Sequence, residues 1–105
     1  MTDTEHTLNR MLHAVADPTR RRILRTLREG LSEAKPTRSK AGPGPCLCGG
    51  DIEARIHLSQ PTISHHMSIL AGAGLVEATK LGQWMWYRRH EAALRSFTRM
   101  LRQSL

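Results

Sequence analysis

The stretch Leu58-Ser59-Gln60-Pro61-Thr62-Ile63-Ser64-His65-His66-Met67-Ser68-Ile69-Leu70 reads as a short polar turn followed by a helix with one thin apolar stripe. At about 100° per residue, Ile63, Met67 and Leu70 fall within one narrow arc. Pro61, Ser64, His65 and Ser68 fall on the opposite side. That outer face is small and polar, and it carries no carboxylate. A solvated face on an ordinary surface helix usually holds Glu and Lys, and this one holds neither. The pattern suits a helix lying in a DNA major groove. There, small side chains let the backbone come close, and hydroxyls or imidazoles meet base edges. Thr62, Ser64 and His65 are the candidates for base contact, with Pro61 beside them. Ser59 and Gln60 are candidates for holding phosphate at the helix N-terminus, where free N–H groups favour anions. His66 lies at the edge of the apolar stripe. It belongs either to the DNA-binding set or to the interior as a hydrogen-bonded residue.

Upstream, Leu8, Met11, Leu12 and Val15 recur at helical spacing and predict a first helix capped by Asp3 or Thr4. Asp17-Pro18 restarts the chain, since Asp is a good N-cap and Pro suits the first helical position. Ile23, Leu24 and Leu27 form the buried stripe of this second helix, and Gly30 ends it. Arg20, Arg21, Arg22, Arg25 and Arg28 cover the remaining faces. Most of them read as a solvated surface, with one or two in reach of phosphate.

Residues 34–50 change character and read as an extended Gly/Pro-rich loop. Pro36, Pro43 and Pro45 alternate with Gly42 and Gly44 among Lys35, Arg38 and Lys40. A loop this long within a domain tends to be functional or disordered. It closes on Cys46-Leu47-Cys48-Gly49-Gly50, which places both thiols on a flexible segment. Asp51 then caps a short third helix with Ile52 and Ile56 turned inward. After Leu70, Gly72 and Gly74 supply a stop. Leu75 to Thr79 reads as a strand, Leu81-Gly82 as a turn and Gln83 to Arg88 as a second strand. Together they predict a two-stranded wing, with Trp84 and Trp86 on one face, Met85 and Tyr87 on the other, and most of these rings in the core. Lys80, Gln83 and Arg88 are its candidate DNA contacts. Leu94, Phe97 and Leu101 mark a final helix.

A chain of 105 residues fits one domain with one modest core, so residues 1–105 are read as a single unit. Sixteen Lys+Arg against nine Asp+Glu give a net charge of +7, which attracts polyanions with a steep salt dependence. No apolar run approaches the roughly 20 residues that span a bilayer, so no membrane partner is expected. The segment Met1 to His6 is polar and acidic, unlike a secretory signal. A cytoplasmic protein with reduced thiols follows. The residues offer no Ser/His/Asp arrangement, phosphate loop or paired acids for an enzyme, and no organic cofactor is expected.

The order of elements predicts a mainly α winged helix-turn-helix (α-α-α-α-β-β-α). Three segments carry a family likeness. Asp17-Pro18-Thr19-Arg20-Arg21-Arg22-Ile23-Leu24 resembles the "DPTRRxIL" opening of the ArsR/SmtB family of bacterial repressors. Leu58 to Leu70 resembles its "LSQPTISHHLxxL" segment, and Gly74-Leu75-Val76 with Gly82 to Tyr87 resembles its "GLV…GRWxYY" wing. The resemblance implies a homodimer on a palindromic operator, built through the first and last helices by Leu8, Met11, Leu12, Leu94, Phe97 and Leu101. It also implies a metal or metalloid sensor, because many members carry "ELCVCDL" at the start of the third helix. Here Cys46 and Cys48 are present, but Gly49 and Gly50 intervene before Asp51.

Thiolates suit soft ions, so the implied inducer is trivalent arsenic or antimony, or a soft divalent metal such as cadmium or zinc. Two thiols do not complete a site. The third ligand would be an exogenous thiol, a residue of a second subunit, or His6, His13 or His57. His90-Glu91 alone does not make the family's second metal site on the last helix. The leading expectation is a repressor released from operator DNA by a thiophilic ligand. A thiol redox switch is one alternative, though a disulfide within Cys-x-Cys is strained. A ligand-independent winged-helix repressor is another, and a protein-interaction module without nucleic acid is a third.

Overall fold

The computed structural model describes residues 1–29 and 46–105 of the chain. Gly30 and the Pro/Gly tract up to Pro45 lie outside the described residues. The elements run α1 (Asp3–Ala16), α2 (Pro18–Glu29), β1 (Leu47–Cys48), α3 (Gly49–Ile56), α4 (Gln60–Gly72), β2 (Val76–Leu81), β3 (Trp84–Arg89) and α5 (Glu91–Ser104). This is the winged helix-turn-helix order with one added strand.

The helices form where caps and apolar spacing agree. Thr2, rather than Asp3 or Thr4, caps α1: the Glu5 N–H donates to Thr2 Oγ1 at 3.1 Å, and the Thr2 N–H donates to Glu5 Oε2 at 3.2 Å. This reciprocal pair begins one residue before the expected cap, because only Thr2 has a Glu three residues on. Asp17 caps α2, its Oδ2 accepting from the Arg20 N–H at 3.0 Å. Asp51 does not cap α3 from outside. It sits in the first turn and reaches back, accepting from the Cys48 N–H at 3.1 Å.

The C-terminus of α4 closes through a Schellman motif. Gly74 takes a positive φ of 77°, its N–H donates to the Ala71 carbonyl, and the Leu75 N–H donates to the Leu70 carbonyl. Gly72 is the last helical residue, so Gly74 alone makes the stop.

The sheet corrects the expected two-stranded wing. Its order is β1-β3-β2, all antiparallel, with Leu47 opposite Tyr87 and Cys48 opposite Trp86. A two-residue strand has no period to read; only its partner reveals it. The hairpin turn also lies one residue later than expected. Leu81 pairs with Trp84, leaving Gly82 and Gln83 as the turn, with positive φ at Gly82 where a tight hairpin needs it.

The core gathers Leu8, Met11 and Ala14 of α1, Ile23, Leu24 and Leu27 of α2, Leu47, Ile52 and Ile56, and Ile63, Met67 and Leu70 of α4. Leu75, Val76, Tyr87 and Phe97 complete it. The expected stripes of α2, α3 and α4 are therefore the buried ones. The wing aromatics divide differently from the expectation: Tyr87 is buried, Trp86 is half-buried, and Trp84 is 53% exposed. The hairpin tip, Gly82 to Met85, is exposed among the described residues.

Candidate nucleic-acid interface

The turn between α3 and α4 comprises His57, Leu58 and Ser59. His57 adopts the left-handed conformation (φ 62°, ψ 40°), and its N–H donates to the Glu53 carbonyl at 2.9 Å. This is the one non-glycine positive φ among the described residues. It reverses the chain sharply enough to lay α4 across α3. Ser59 occupies the N-cap of α4, yet its hydroxyl makes no cap bond to the backbone. It pairs instead with Thr62 Oγ1 at 2.9 Å. The first-turn N–H groups and the positive end of the helix dipole thus face outward without a side-chain cap.

Helix α4 has two sharply different faces. Ile63, Met67 and Leu70 are at most 2% exposed. Gln60, Pro61, Thr62, Ser64, His65 and Ser68 are exposed, and the helix contains no Asp, Glu, Lys or Arg. His66 is half-buried and turned to Arg20 of α2, whose Nη1 lies 3.3 Å from its Nδ1. Of the expected DNA set, six side chains share the open side of the turn and α4, and His66 does not stand free among them.

The wing stands beside this face. A cleft of about 150 Å³ lies between Gly49, Gly50, the outer start of α4 (Gln60, Ser64) and the wing tip (Gln83, Trp84, Met85). Lys80 and Gln83 are exposed at that tip. Arg88 is engaged internally: its Nη2 and Nε meet Glu77 Oε2 at 2.6 and 3.0 Å across the β2–β3 register.

The arginines of α2 form a largely solvated face, as expected, with Arg21, Arg22, Arg25 and Arg28 exposed and Arg20 buried, but three of them also reach backbone carbonyls. Arg20 Nε donates to the Ala14 carbonyl at 2.6 Å, and Arg21 Nη1 donates to the Val15 and Ala16 carbonyls at 2.6 and 2.9 Å. Arg22 reaches the Arg55 and Ile56 carbonyls at 3.3 and 3.4 Å. These carbonyls are the unpaired acceptors at the ends of α1 and α3, where cations are favoured by the helix dipole. Nothing in a run of arginines indicates which helix ends lie within reach of it.

The cysteines are placed firmly. Cys46 is buried at 3% exposure just before β1, and Cys48 ends β1 and occupies the N-cap of α3. Neither thiol therefore lies on the flexible segment that was expected. Pairing of β1 with β3 is what orders them. Burial pushes the Cys48 thiol above its ordinary pKa, and its hydrogen bond to Asp51 Oδ2 at 3.2 Å adds to the rise.

Among the described residues no group of three or more His, Cys, Asp or Glu is placed to hold a metal ion. His57 lies at the far end of α3, about 12 Å of helix from Cys48. His6 and His13 are exposed on α1. His90 caps α5, its Nδ1 accepting from the Ala93 N–H at 2.9 Å. The described residues therefore supply two thiols and no third ligand.

The helix-turn-helix domain family matches residues 15–79. The transcriptional repressor SdpR of Bacillus subtilis is 32% identical over 87 residues, covering 83% of this chain and 80% of its own length. The arsenic resistance transcriptional regulator ArsR1 of Pseudomonas putida is 41% identical over 44 residues, 42% of this chain and 34% of that one. An ArsR-like transcriptional regulator from Rhodococcus sp. RHA1 superposes with a TM-score of 0.71 at 26% identity, covering 97% of this chain and 82% of its own. These relatives are regulators, not enzymes. No helix among the described residues is long and apolar enough to cross a membrane. With its helix-turn-helix, wing and repressor relatives, the chain belongs to the ArsR/SmtB family of winged helix-turn-helix transcriptional regulators.

Proposed function

We propose that the protein is a cytoplasmic repressor that binds double-stranded operator DNA as a homodimer, reading bases with the outer face of α4. The observation that carries this reading is the exposed face of Thr62, Ser64, His65 and Ser68, free of charged side chains and flanked by an uncapped helix N-terminus. Ser59 and Gln60 hold phosphate there, and Lys80 and Gln83 hold the backbone from the wing. Arg88 contributes by keeping β2 and β3 in register. The test is a gel shift on a duplex that the protein itself enriches from a random pool. His65→Ala should cost about 1–3 kcal/mol of specific binding. Unchanged discrimination against random DNA would remove His65 from the base-reading set.

Dimerisation rests on α1 and α5. Leu8, Met11 and Phe97 are already buried within the chain, whereas Leu12, Leu94 and Leu101 are only partly covered. An open groove between the two helices is lined by Met11, Ala93 and Met100. A second copy would cover these residues and set half-sites about 34–36 Å apart. Sedimentation at micromolar concentration should give a dimer. A monomer that still binds the operator tightly defeats the assignment.

A second reading, favoured by Cys46 and Cys48 at the start of α3 and by the arsenic-resistance relative, is release by a thiophilic metal or metalloid. The remaining ligand then comes from an exogenous thiol or a second subunit. Operator complexes titrated with arsenite, antimonite, cadmium or zinc should dissociate, and the Cys46→Ser, Cys48→Ser double variant should stay bound. Release at unchanged concentration makes the thiols incidental.

A further inference from the structure

Arg20 is the one buried charged residue among the described residues, at 8% exposure. A guanidinium leaves water only where its donors are matched. Here Nε donates to the Ala14 carbonyl at 2.6 Å, Nη2 to the His13 carbonyl at 3.2 Å, and Nη1 faces His66 Nδ1 at 3.3 Å. The Arg20 N–H is itself held by Asp17 at 3.0 Å. One side chain thus joins the end of α1, the start of α2 and the middle of α4.

The direction of the bond to His66 is fixed by chemistry. Guanidinium has donors only and keeps its charge, so Nδ1 must accept. The ring then carries its hydrogen on Nε2.

We propose that Arg20 and His66 are positioning residues, a latch that sets the angle of the recognition helix α4 against α1. His66 acts through Nδ1 toward Arg20 rather than by touching a base. Because α1 belongs to the proposed dimer interface, the latch governs the spacing of two recognition helices more than the grip of either one. This rests on the DNA-binding reading above.

Asparagine and glutamine separate the two ring nitrogens: His66→Asn places an acceptor near the position of Nδ1, and His66→Gln reaches that of Nε2. Affinity is measured on a duplex with two half-sites, on one with a single half-site, and on random DNA. His66→Leu and His66→Gln should weaken two-half-site binding by about tenfold or more, and His66→Asn by less than about threefold. Single half-site binding should change by less than about threefold in all of them. Rescue by Gln and not Asn would mean that His66 contacts DNA, overturning the latch. An equal loss on the single half-site would overturn the spacing role.

Arg20→Met also costs stability, so the tautomer is read in the folded wild type, without DNA. Imidazole nitrogen NMR should show His66 bare at Nδ1, and a hydrogen found there refutes the latch. If the wild type enriches no duplex, the DNA-binding reading fails while this measurement still decides the Arg20–His66 pairing.

Discussion

Helices α2 and α4 divide charge and open polar surface between them. Helix α2 carries five arginines, and the three nearest its start donate to the carbonyl ends of α1 and α3, Arg20 from a buried position and Arg21 and Arg22 from exposed ones. Helix α4 carries no charged side chain and offers the open polar face. The net charge of +7 therefore does not locate the DNA surface. Arginines near a helix start are spent on helix ends that happen to lie within reach. A recognition helix gains from small side chains, which let its backbone and its positive end approach the polyanion.

The contrast can be broken first at the inner face of α4. Met67 is 1% exposed, so Met67→Ala should cost about 2–5 kcal/mol of stability in urea titration. A smaller loss would mean that α4 is not anchored by its apolar stripe. Within α2 the comparison sharpens between two arginines. Arg20→Met leaves the Ala14 and His13 carbonyls without their partner and should cost about 2–3 kcal/mol. Arg25→Met, on the exposed side, should stay within about 0.5 kcal/mol. Equal effects would refute the division of labour between the two arginines.

Asp17 sits at the joint between α1 and α2. The Arg20 N–H that it accepts holds its carboxyl below the ordinary carboxylate pKa. A depressed folded value means that the stabilisation is complete above the unfolded pKa and is lost as pH falls through the folded one. Asp17→Ala should destabilise the fold at neutral pH, as for other N-caps, and the difference from wild type should vanish in strong acid. Unfolding midpoints measured against pH check both limbs. The smallest effect is expected at Ser59. Its hydroxyl bonds Thr62 and not the backbone, so Ser59→Ala should change stability by less than about 0.5 kcal/mol. A full cap-sized loss would show that the hydroxyl turns to the helix N–H groups in solution.

Most of the candidate interface was legible because it is written in local periods. The stripe of Ile63, Met67 and Leu70, the polar side opposite and the glycine stop at Gly74 all follow from spacing within a few residues. The same holds for Ile23, Leu24 and Leu27, and for the Asp17 cap. His66 was ambiguous at the stripe's edge, and only Arg20, 46 residues earlier, resolves it.

What the sequence by itself determined is therefore the set of helices, their inner faces and the helix-turn-helix order, because caps and apolar repeats act over one or two turns of chain. The tertiary structure alone decided that Arg20 is buried, that Arg22 caps α3 from 34 residues away, and that Leu47 and Cys48 form a third strand on β3. It also decided that Trp84 stands outside the core and that both cysteines are held in place. Each of these depends on a partner far along the chain. A guanidinium, a two-residue strand or an indole carries no local period from which that partner can be read.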